Sequence, residues 1–209
     1  MQKAHELSQP ICKVTQAVCS SSLRVGSADG NRSASSIGTL WSWGNNTVGQ
    51  LGDGTNTDRH SPTQVGTDTD WYYIVDAQYH TVALKSDGTL WSWGDNYNGQ
   101  LGDDTNTDRD SPIQVGTDTD WLDISVGDDH TVALKSDGTL WSWGINSYSQ
   151  LGDGTNNGRN YPSLVGTDTD WSSISAGIRH TVALKSDGTL WSWGNNTVGQ
   201  LGDGTNTDR

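Results

Sequence analysis

Apolar and polar residues alternate in short runs along the chain, and these runs recur every fifty residues. One period contains four of them: WLDISVG at 121–127, HTVALKS at 130–136, TLWSWG at 139–144 and YPSLVG at 161–166. Alternation with a period of two predicts β-strands whose side chains point to opposite faces of a sheet. Because no helical period occurs in the repeats, we predict an all-β region with four short strands in each repeat.

Two local signals indicate how the strands connect. Asp137-Gly138 lies between the second and third runs, where an Asp-Gly pair predicts a tight hairpin turn with both residues at positive φ. Pro162 cannot donate to a sheet ladder, so it confines the fourth strand to an edge or to its first residues. The pattern therefore predicts one four-stranded antiparallel sheet per repeat.

Each predicted sheet is apolar on both faces. Trp141 and Trp143 fall on one side of the third strand and Leu140 falls on the other. Such a sheet must stack on its neighbours to be buried, as the blades of a β-propeller do. A flat β-solenoid is the alternative, although its repeats are usually much shorter. We predict a β-propeller of four-stranded antiparallel blades.

The repetition also sets the domain boundaries. A repeat region covers residues 37–209, and residues 1–36 form a non-repeat segment that is degenerate or disordered. About three and a half repeats predict a partial, unclosed ring. A fragment of a longer propeller is the preferred interpretation, and a homo-oligomer formed through the open edges is the alternative. The repeats are 38–87, 88–137, 138–187 and a partial copy, 188–209, whose 22 residues repeat 38–59 letter for letter.

The repeated motifs resemble those of one known family. The pattern runs G-x-x-H-T-x-A-L, then D-G, then W-G-x-N-x-x-G-Q-L-G, then a proline-containing edge. It resembles the repeat of the regulator of chromosome condensation family over residues 38–209, and this resemblance implies a β-propeller that usually has seven blades. Three places depart from the pattern: Ala77 and Ser149 stand where glycine is expected, and NRSASSIGTL precedes Trp41 in place of HTVALKSDGTL.

Composition and charge argue against some classes of binding partner. The net charge of −13 argues against the phosphate backbone of a nucleic acid as a partner. The charge is uneven, because residues 88–137 carry 11 Asp against two basic residues. No run approaches the length of a membrane span, so we predict no membrane partner. The start lacks the apolar stretch of a secretory signal. The localisation stays open, because Asn- and Thr-rich repeats without cysteine would suit an exported parent protein.

Few residues suit catalysis. The only two cysteines, Cys12 and Cys19, precede the repeats at a spacing typical of neither a redox pair nor a zinc knuckle, and whether they pair is left open. Glu6 is the only glutamate, and no phosphate-binding loop or nucleophile elbow occurs. We therefore predict that the chain is not an enzyme.

Identical copies of aromatic and histidine residues mark every repeat. The histidines could form a ring of metal ligands, and the tryptophan pairs could form a platform for sugars or cations. We favour a structural role, because an active site is usually asymmetric whereas these residues recur in the same context. These repeat anchors are Trp41, Trp43, Trp91, Trp93, Trp141, Trp143, Trp191, Trp193, His80, His130 and His180.

The stretch GDGTNTD, at 52–58 and 202–208, resembles calcium loops that alternate Asp and Asn. Counting from Asp53 places Thr55 and Thr57 at the third and fifth loop positions, so the EF-hand pattern fails. A solvated turn rich in Gly, Asn and Asp is the preferred interpretation. We therefore predict no cofactor and no set of metal ligands. Calcium binding stays open as the alternative.

Function is expected where the copies differ, because loops on a rigid scaffold commonly hold binding residues. Neutral drift after duplication is the alternative explanation of the differences. The leading hypothesis is a non-catalytic scaffold that binds a protein or another macromolecule through Tyr79, Tyr97, Asp128, Asp129, Tyr148 and Arg179.

Two other functions remain as alternatives. The family resemblance implies guanine nucleotide exchange on a small GTPase, but exchange in that family depends on a wedge-like insertion, and these repeats contain none. A calcium- or glycan-binding surface module is the second alternative, because near-identical copies suit multivalent display.

Overall fold

The computed structural model describes residues 11–13 and 37–209, which contain fourteen β-strands and no helix. The predictions for the rest of the first 36 residues, Cys19 included, lie outside the described residues. No helix in the described ranges is long and apolar enough to cross a membrane. The strands are β1 Ile11–Lys13, β2 Thr39–Gly44, β3 Arg59–Val65, β4 Trp71–Asp76, β5 His80–Lys85, β6 Leu90–Gly94, β7 Arg109–Gln114, β8 Trp121–Val126, β9 His130–Lys135, β10 Leu140–Gly144, β11 Arg159–Leu164, β12 Trp171–Ala176, β13 His180–Lys185 and β14 Leu190–Gly194.

These strands form four separate sheets, which we call blades 1 to 4. Blade 1 is β1-β2-β3, blade 2 is β4-β5-β6-β7, blade 3 is β8-β9-β10-β11 and blade 4 is β12-β13-β14. Blades 2 and 3 are antiparallel sheets in which each strand pairs with the next along the chain. The predicted all-β propeller of four-stranded blades in an unclosed array is thus confirmed.

The fourth strand of a blade begins earlier than the alternating pattern indicates. Arg109 pairs with Gly94, and Arg159 pairs with Gly144, two residues before the predicted start at Tyr161. An irregularity in the register separates this first pair from the rest of the ladder. The long polar loop between the third and fourth strands is therefore closed by backbone pairing at its base.

The hairpin turn differs from the predicted one. Gly138 has φ of 80°, but Asp137 does not have a positive φ. The Asp137 carboxylate accepts hydrogen bonds from the backbone N–H and the hydroxyl of Thr139, at 3.0 and 2.7 Å. Such a side-chain bond holds the aspartate in an ordinary conformation. The backbone N–H of Lys135 donates to the carbonyl of Thr139, so the loop contains three residues rather than two.

Blade 1 departs from the antiparallel pattern. β1 pairs with β2 in parallel, and it lies on the side of β2 that is equivalent to the position of β5 beside β6. β1 belongs to the segment before the repeat region, and the two repeat strands of this sheet, β2 and β3, are antiparallel as predicted. The sequence explains the difference, because the stretch before Thr39 lacks the HTVALKSDG segment that forms the second strand elsewhere.

Neighbouring blades pack through two complementary apolar faces. Blade 2 presents its valine–leucine face, Val82, Leu84, Leu90 and Val115, to the tryptophan face of blade 3, Trp121, Ile124, Ala133 and Trp143. The same contact joins blades 3 and 4: it places Val132, Leu134, Leu140 and Val165 against Trp171, Ile174, Ala183 and Trp193. Both faces of an interior blade are thus buried, as the alternating pattern requires.

One backbone carbonyl in each blade fixes the next blade. The carbonyl oxygen of Gln100 accepts a hydrogen bond from the Thr131 hydroxyl at 2.8 Å and another from Trp143 Nε1 at 2.9 Å. Equivalent pairs of bonds reach the carbonyls of Gln50 and Gln150. Because an indole N–H and a hydroxyl are costly to bury unpaired, these bonds set the position of each blade on the preceding one.

The shared carbonyl can be tested with Thr131→Val. The variant removes a donor to Gln100 and also the Oγ1 atom that lies 3.3 Å from His80 Nε2. We expect the free energy of unfolding to fall by about 1–3 kcal/mol, because a buried polar group loses its partner. Urea unfolding at pH 7.5 measures the change. Thr117→Val, at an exposed position, is the matched control and should change stability by less than about 0.5 kcal/mol. Equal effects of the two variants would contradict this assignment.

Candidate functional site

The variable positions of the repeats lie together because two loops of each blade are held side by side. The backbone N–H of Asp95 donates to the carbonyl of Tyr79 at 2.8 Å, and the N–H of Ile145 donates to the carbonyl of Asp129 at 2.9 Å. The same bond joins Asn195 to Arg179 in blade 4. We call the set of loops 77–79, 95–98, 127–129, 145–148, 177–179 and 195–198 the variable rim.

A glycine permits this close approach. Gly94 has φ of 103°, and a Cβ atom on it would lie 2.4 Å from the carbonyl oxygen of Tyr79. Gly144 and Gly194 have the same conformation and the same close neighbour in their blades. The identical W-S-W-G sequence thus brings two unlike loops together in each blade, because only glycine fits there without strain.

The rim is continuous from blade 3 to blade 4. Arg179 donates through one terminal nitrogen to the hydroxyl of Tyr148 at 3.2 Å, and its guanidinium lies 5.3 Å from the centre of the Tyr148 ring. The backbone N–H of Asp128 donates to the carbonyl of Ile178 at 3.3 Å. Three of the predicted site residues, Asp128, Tyr148 and Arg179, are therefore brought together across a blade boundary.

Carboxylates of blades 2 and 3 form an acidic centre of the rim. Partial burial and the charges of Asp108 and Asp129 raise the pKa of Asp95. Partial burial and the charge of Asp129 likewise raise the pKa of Asp128, while Arg179 acts in the opposite direction. These carboxylates repel one another, so a positively charged group bound between them would be stabilised.

Two predicted tyrosines lie at the surface of blade 2. The side chain of Tyr79 is 41% exposed and that of Tyr97 is 79% exposed. Exposed aromatic rings are common anchors of protein interfaces. A cavity of about 420 Å³ lies between blades 1 and 2, lined by Val48, Asn56, Ile113 and the segment 108–111. Asp108 belongs both to this cavity and to the acidic centre, so the cavity extends the acidic surface.

The sequence prediction missed Asp95 and Asp108. Asp95 lies in the variable stretch DNYN, where the other repeats have Asn45, Ile145 and Asn195. The uneven distribution of aspartate, which is densest between residues 88 and 137, was the available signal. Sequence alone could not show that Asp108 and Asp129 act on Asp95, because Asp108 lies at the far end of the same long loop and Asp129 lies on a loop of the next blade.

The repeated histidines are buried between blades. His80 Nε2 lies 3.3 Å from Thr131 Oγ1, and His130 Nε2 lies 3.2 Å from Thr181 Oγ1. Because each threonine hydroxyl donates its proton to a glutamine carbonyl, the histidine Nε2 must carry the donating hydrogen. Burial lowers the pKa of His80 to about 4. Burial and the neighbouring His80 and His180 lower the pKa of His130 to about 3.

Because the pKa values of these buried histidines are lowered, we expect the folded protein to lose stability in acid. Below the ordinary histidine pKa of about 6.5, the unfolded chain binds protons that folded His80 and His130 do not bind. The contribution of these two histidines to the free energy of unfolding is therefore fully present above that pH. It falls as the pH drops towards 4, by roughly 1.4 kcal/mol per pH unit for each histidine. His130→Gln keeps a donor but does not titrate, so it should reduce this dependence, whereas exposed His60→Gln should not. Melting temperatures between pH 7.5 and 4.5 measure this pH dependence. If both variants lost stability with pH as steeply as the unaltered protein, the role assigned to His130 would be wrong.

The tryptophan pairs are occupied within the chain. Trp71 makes edge-to-face contacts with Trp91 and Trp93, with ring centres 5.9 and 6.0 Å apart. Lys85 Nζ lies 4.5 Å from the centre of the Trp91 ring and pairs with Asp68 and Asp70. Blades 3 and 4 repeat the arrangement. The position that a cationic ligand would take on such a platform is therefore filled by a lysine of the same blade.

The suspected calcium loops direct their oxygens onto an amide. Asn96 Nδ2 lies within 3.3 Å of four oxygen atoms: Asp103 Oδ1, the Thr105 carbonyl and hydroxyl, and the Thr107 carbonyl. Asn46, Asn146 and Asn196 have the same environment in their repeats. Within residues 11–13 and 37–209, no group of three His, Cys, Asp or Glu side chains is placed to hold a metal. The absence of a cofactor stays a prediction.

Stacked sheets, repeated inter-blade contacts and an edge of unlike loops define a tandem-repeat β-propeller. The family model described as "Regulator of chromosome condensation (RCC1) repeat" matches residues 38–84, 87–134 and 137–184. A second model of the same repeat matches 121–150 and 171–200. The chain belongs to the regulator of chromosome condensation repeat family, which confirms the resemblance seen in the sequence.

Solved structures of similar proteins show the same architecture. Human WBSCR16 is similar with a TM-score of 0.72 and 26% identity, over 84% of this chain and 48% of that one. Yeast RCC1 (Prp20) bound to Kap60 has a TM-score of 0.71 and 25% identity, over 82% and 43% of the two chains. Prp20p from Saccharomyces cerevisiae, described with its binding to Gsp1p and histones, has a TM-score of 0.70 and 26% identity, over 80% of this chain and 44% of that one. The chain thus spans less than half the length of these proteins. No curated protein matches it.

Proposed function

We propose that this chain is a non-catalytic propeller scaffold that binds a basic segment of a partner protein through the variable rim. The observation that carries the proposal is the acidic centre, in which Asp95, Asp108 and Asp129 lie near enough to raise the pKa of Asp95. Like charges held together on a rigid scaffold are stabilised by a cationic partner. The family and its structural neighbours support the coarser statement that the fold serves protein binding.

The aromatic side chains suit the same role. Exposed Tyr79 and Tyr97 supply large contact surfaces at low entropic cost, and both lie in blade 2, as do Asp95 and Asp108. Arg179 is held against Tyr148 in the neighbouring part of the rim, and it would repel a cationic segment. The partner segment is therefore expected over blades 2 and 3 and away from blade 4.

Charge-removing variants test this proposal. The probe is a fluorescein-labelled octalysine peptide, with labelled octaglutamate as the opposite-charge control, and binding is read by anisotropy. Asp95→Asn with Asp129→Asn should weaken octalysine binding by about three- to tenfold, as expected for two partly exposed charges. Asp104→Asn is the matched control, because it removes an exposed charge from the loop of blade 2 that follows the rim. Asparagine also tolerates the φ of 62° at this position.

Two outcomes would contradict the proposal. An equal loss of binding free energy per removed charge in the rim variant, which lacks two charges, and in Asp104→Asn, which lacks one, would show that only the net charge matters. Binding that is unchanged between 50 and 300 mM salt would show that the carboxylates do not make the contact, since exposed charges are screened by salt.

Guanine nucleotide exchange is the second candidate. It is favoured by the likeness to Prp20p, whose described binding includes Gsp1p. Against it, the repeats within residues 38–187 keep an equal length of fifty residues and contain no wedge-like insertion. Release of labelled GDP from a panel of purified small GTPases tests it. Acceleration by the chain at catalytic concentration would establish exchange activity and replace the scaffold proposal.

A further inference from the structure

The long loop of blade 3 lacks a carboxylate that the other three long loops contain. In blades 1, 2 and 4, an aspartate near the end of this loop accepts a hydrogen bond from the backbone N–H of an asparagine near its start. These bonds, of 2.7 to 2.8 Å, join Asn46 to Asp58, Asn96 to Asp108 and Asn196 to Asp208. Gly158 stands at the equivalent position of blade 3, so the N–H of Asn146 lacks this acceptor.

A second donor of the same loop has also lost its partner. In the other blades the side-chain amide of a glutamine donates to the residue five positions earlier, and these pairs are Gln50 with Asn45, Gln100 with Asp95 and Gln200 with Asn195. Ile145 replaces that acceptor in blade 3. Gln150 Nε2 is buried and has no hydrogen-bond partner within residues 11–13 and 37–209. Residues 145–158, which we call the donor loop, thus contain two donors that the other loops satisfy internally.

The two substituted positions face one region of the rim. In blade 2 they hold Asp95 and Asp108, and partial burial together with the charge of Asp108 raises the pKa of Asp95. Ile145 and Gly158 take the same places in blade 3, because the register at the base of the loop is the same in both blades. The loop that supplies two carboxylates to the acidic centre is therefore followed, one blade further on, by a loop with neither of them.

The repeat that contains the donor loop has little surplus acidic charge. It has four Asp and three basic residues, whereas the preceding repeat has 11 Asp and two basic residues. Arg159 and Lys185 are in ion pairs with three of the four aspartates. Among the described residues Arg179 forms no ion pair, although its charge acts on Asp128 in the neighbouring loop. Its guanidinium donates to the hydroxyl of Tyr148 on the donor loop, so the charge at this edge favours an anion.

We infer that the donor loop binds a carboxylate group of a partner molecule, in the place that an aspartate side chain takes in the other three blades. One carboxylate oxygen accepts the N–H of Asn146, as Asp108 accepts that of Asn96. A carboxylate has several lone pairs, so the same group can accept from a second donor such as the amide of Gln150. Arg179 supplies positive charge at the edge of the site. The three intact loops show that this backbone holds a carboxylate.

The site is accessible because the missing side chain belongs at the surface. Gly158 is exposed, as are the three aspartates at the equivalent positions. Gly158 does not have a positive φ, and the nearest atom to a Cβ placed on it would be the carbonyl oxygen of Gly144, at 3.0 Å. An acceptor therefore reaches the N–H of Asn146 from the solvent side, and a side chain at position 158 requires only a small adjustment.

This site lies beside the acidic centre and goes beyond the function proposed for it. A partner segment with basic residues over blade 2 and an acidic group towards blade 4 would meet both surfaces. The two sites are tested with separate probes, so the failure of either proposal leaves the other standing.

Backbone amide signals of the isotope-labelled chain test the site. The probes are N-acetylaspartate α-methylamide, which carries a side-chain carboxylate, and N-acetylglycine, which carries an α-carboxylate, at an ionic strength held constant with sodium chloride. We expect the amide signal of Asn146 to shift in a saturable way. The signals of Asn46 and Asn96 should stay unchanged, because these amides already bond to Asp58 and Asp108. A shift with one probe alone would support the site and identify the source of the carboxylate. No saturable shift at Asn146, or equal shifts at all three asparagines, would overturn the proposal.

Variants at position 158 provide a matched pair. Gly158→Asp supplies an internal carboxylate and should abolish the response of Asn146 to the probe, whereas Gly158→Ala adds the same Cβ without a carboxylate and should retain it. Asp58→Gly is the reverse change, and it should make the amide of Asn46 respond. Unaltered amide signals in the rest of each spectrum show that the variants are folded. Equal loss of the response in Gly158→Ala and Gly158→Asp, or a silent Asn46 amide in Asp58→Gly, would refute the assigned role of the missing carboxylate.

Discussion

The carbonyl oxygen of one glutamine in each repeat holds this array together. It accepts the indole N–H of a tryptophan and the hydroxyl of a threonine from the next blade, as Gln100 does from Trp143 and Thr131. A buried indole or hydroxyl that lost this acceptor would cost about 1–3 kcal/mol of stability. The same threonine then serves as the acceptor for a histidine of the preceding blade. Three side chains and one backbone group thus fix both the distance and the rotation between neighbouring sheets.

This constraint explains why some residues recur without change and others do not. A tryptophan, threonine or histidine that crosses a blade boundary has partners on both blades, so a change at one position leaves a polar group unpaired on the other. Loop residues such as Tyr79, Asp129 and Arg179 are joined to the scaffold mainly through backbone bonds, which any residue can make. Their side chains can therefore differ without loss of the fold. Binding chemistry can accumulate at one edge of an otherwise repetitive molecule.

The large negative charge is divided between two environments. Asp68 and Asp70 pair with Lys85 beneath the tryptophans, and Asp103 pairs with Arg109 at the base of the long loop. These pairs and their equivalents recur in the other repeats and bind the loops to the strands. Asp95 and Asp128 lie instead among other carboxylates, which raise the pKa of each. Many of the carboxylates therefore hold the fold together, and a small remainder lies at the rim without a basic partner of this kind.

The sequence by itself determined the strand pattern, the period, the stacking of sheets and the family. These follow from alternation and repetition, which are local properties: Leu140 and Trp143 face opposite sides because successive residues of a strand must do so. Sequence could also mark Tyr79, Asp128 and Arg179 as unlike members of equivalent positions. It did not show that Arg179 stacks on Tyr148, or that the charges of Asp108 and Asp129 raise the pKa of Asp95, because these contacts join different loops or opposite ends of one long loop.

Tertiary structure alone decided three further features. The Asp-Gly turns contain three residues because the aspartate side chain bonds to the following threonine, which a dipeptide rule does not consider. The amide of Asn96 occupies the centre of a loop that resembled a calcium site, because residues eleven positions apart converge on it. Blade 1 contains a parallel strand, because the segment before Thr39 lacks the repeated HTVALKSDG stretch. Contacts between residues distant in sequence depend on the packing of whole sheets, and a local pattern does not contain that information.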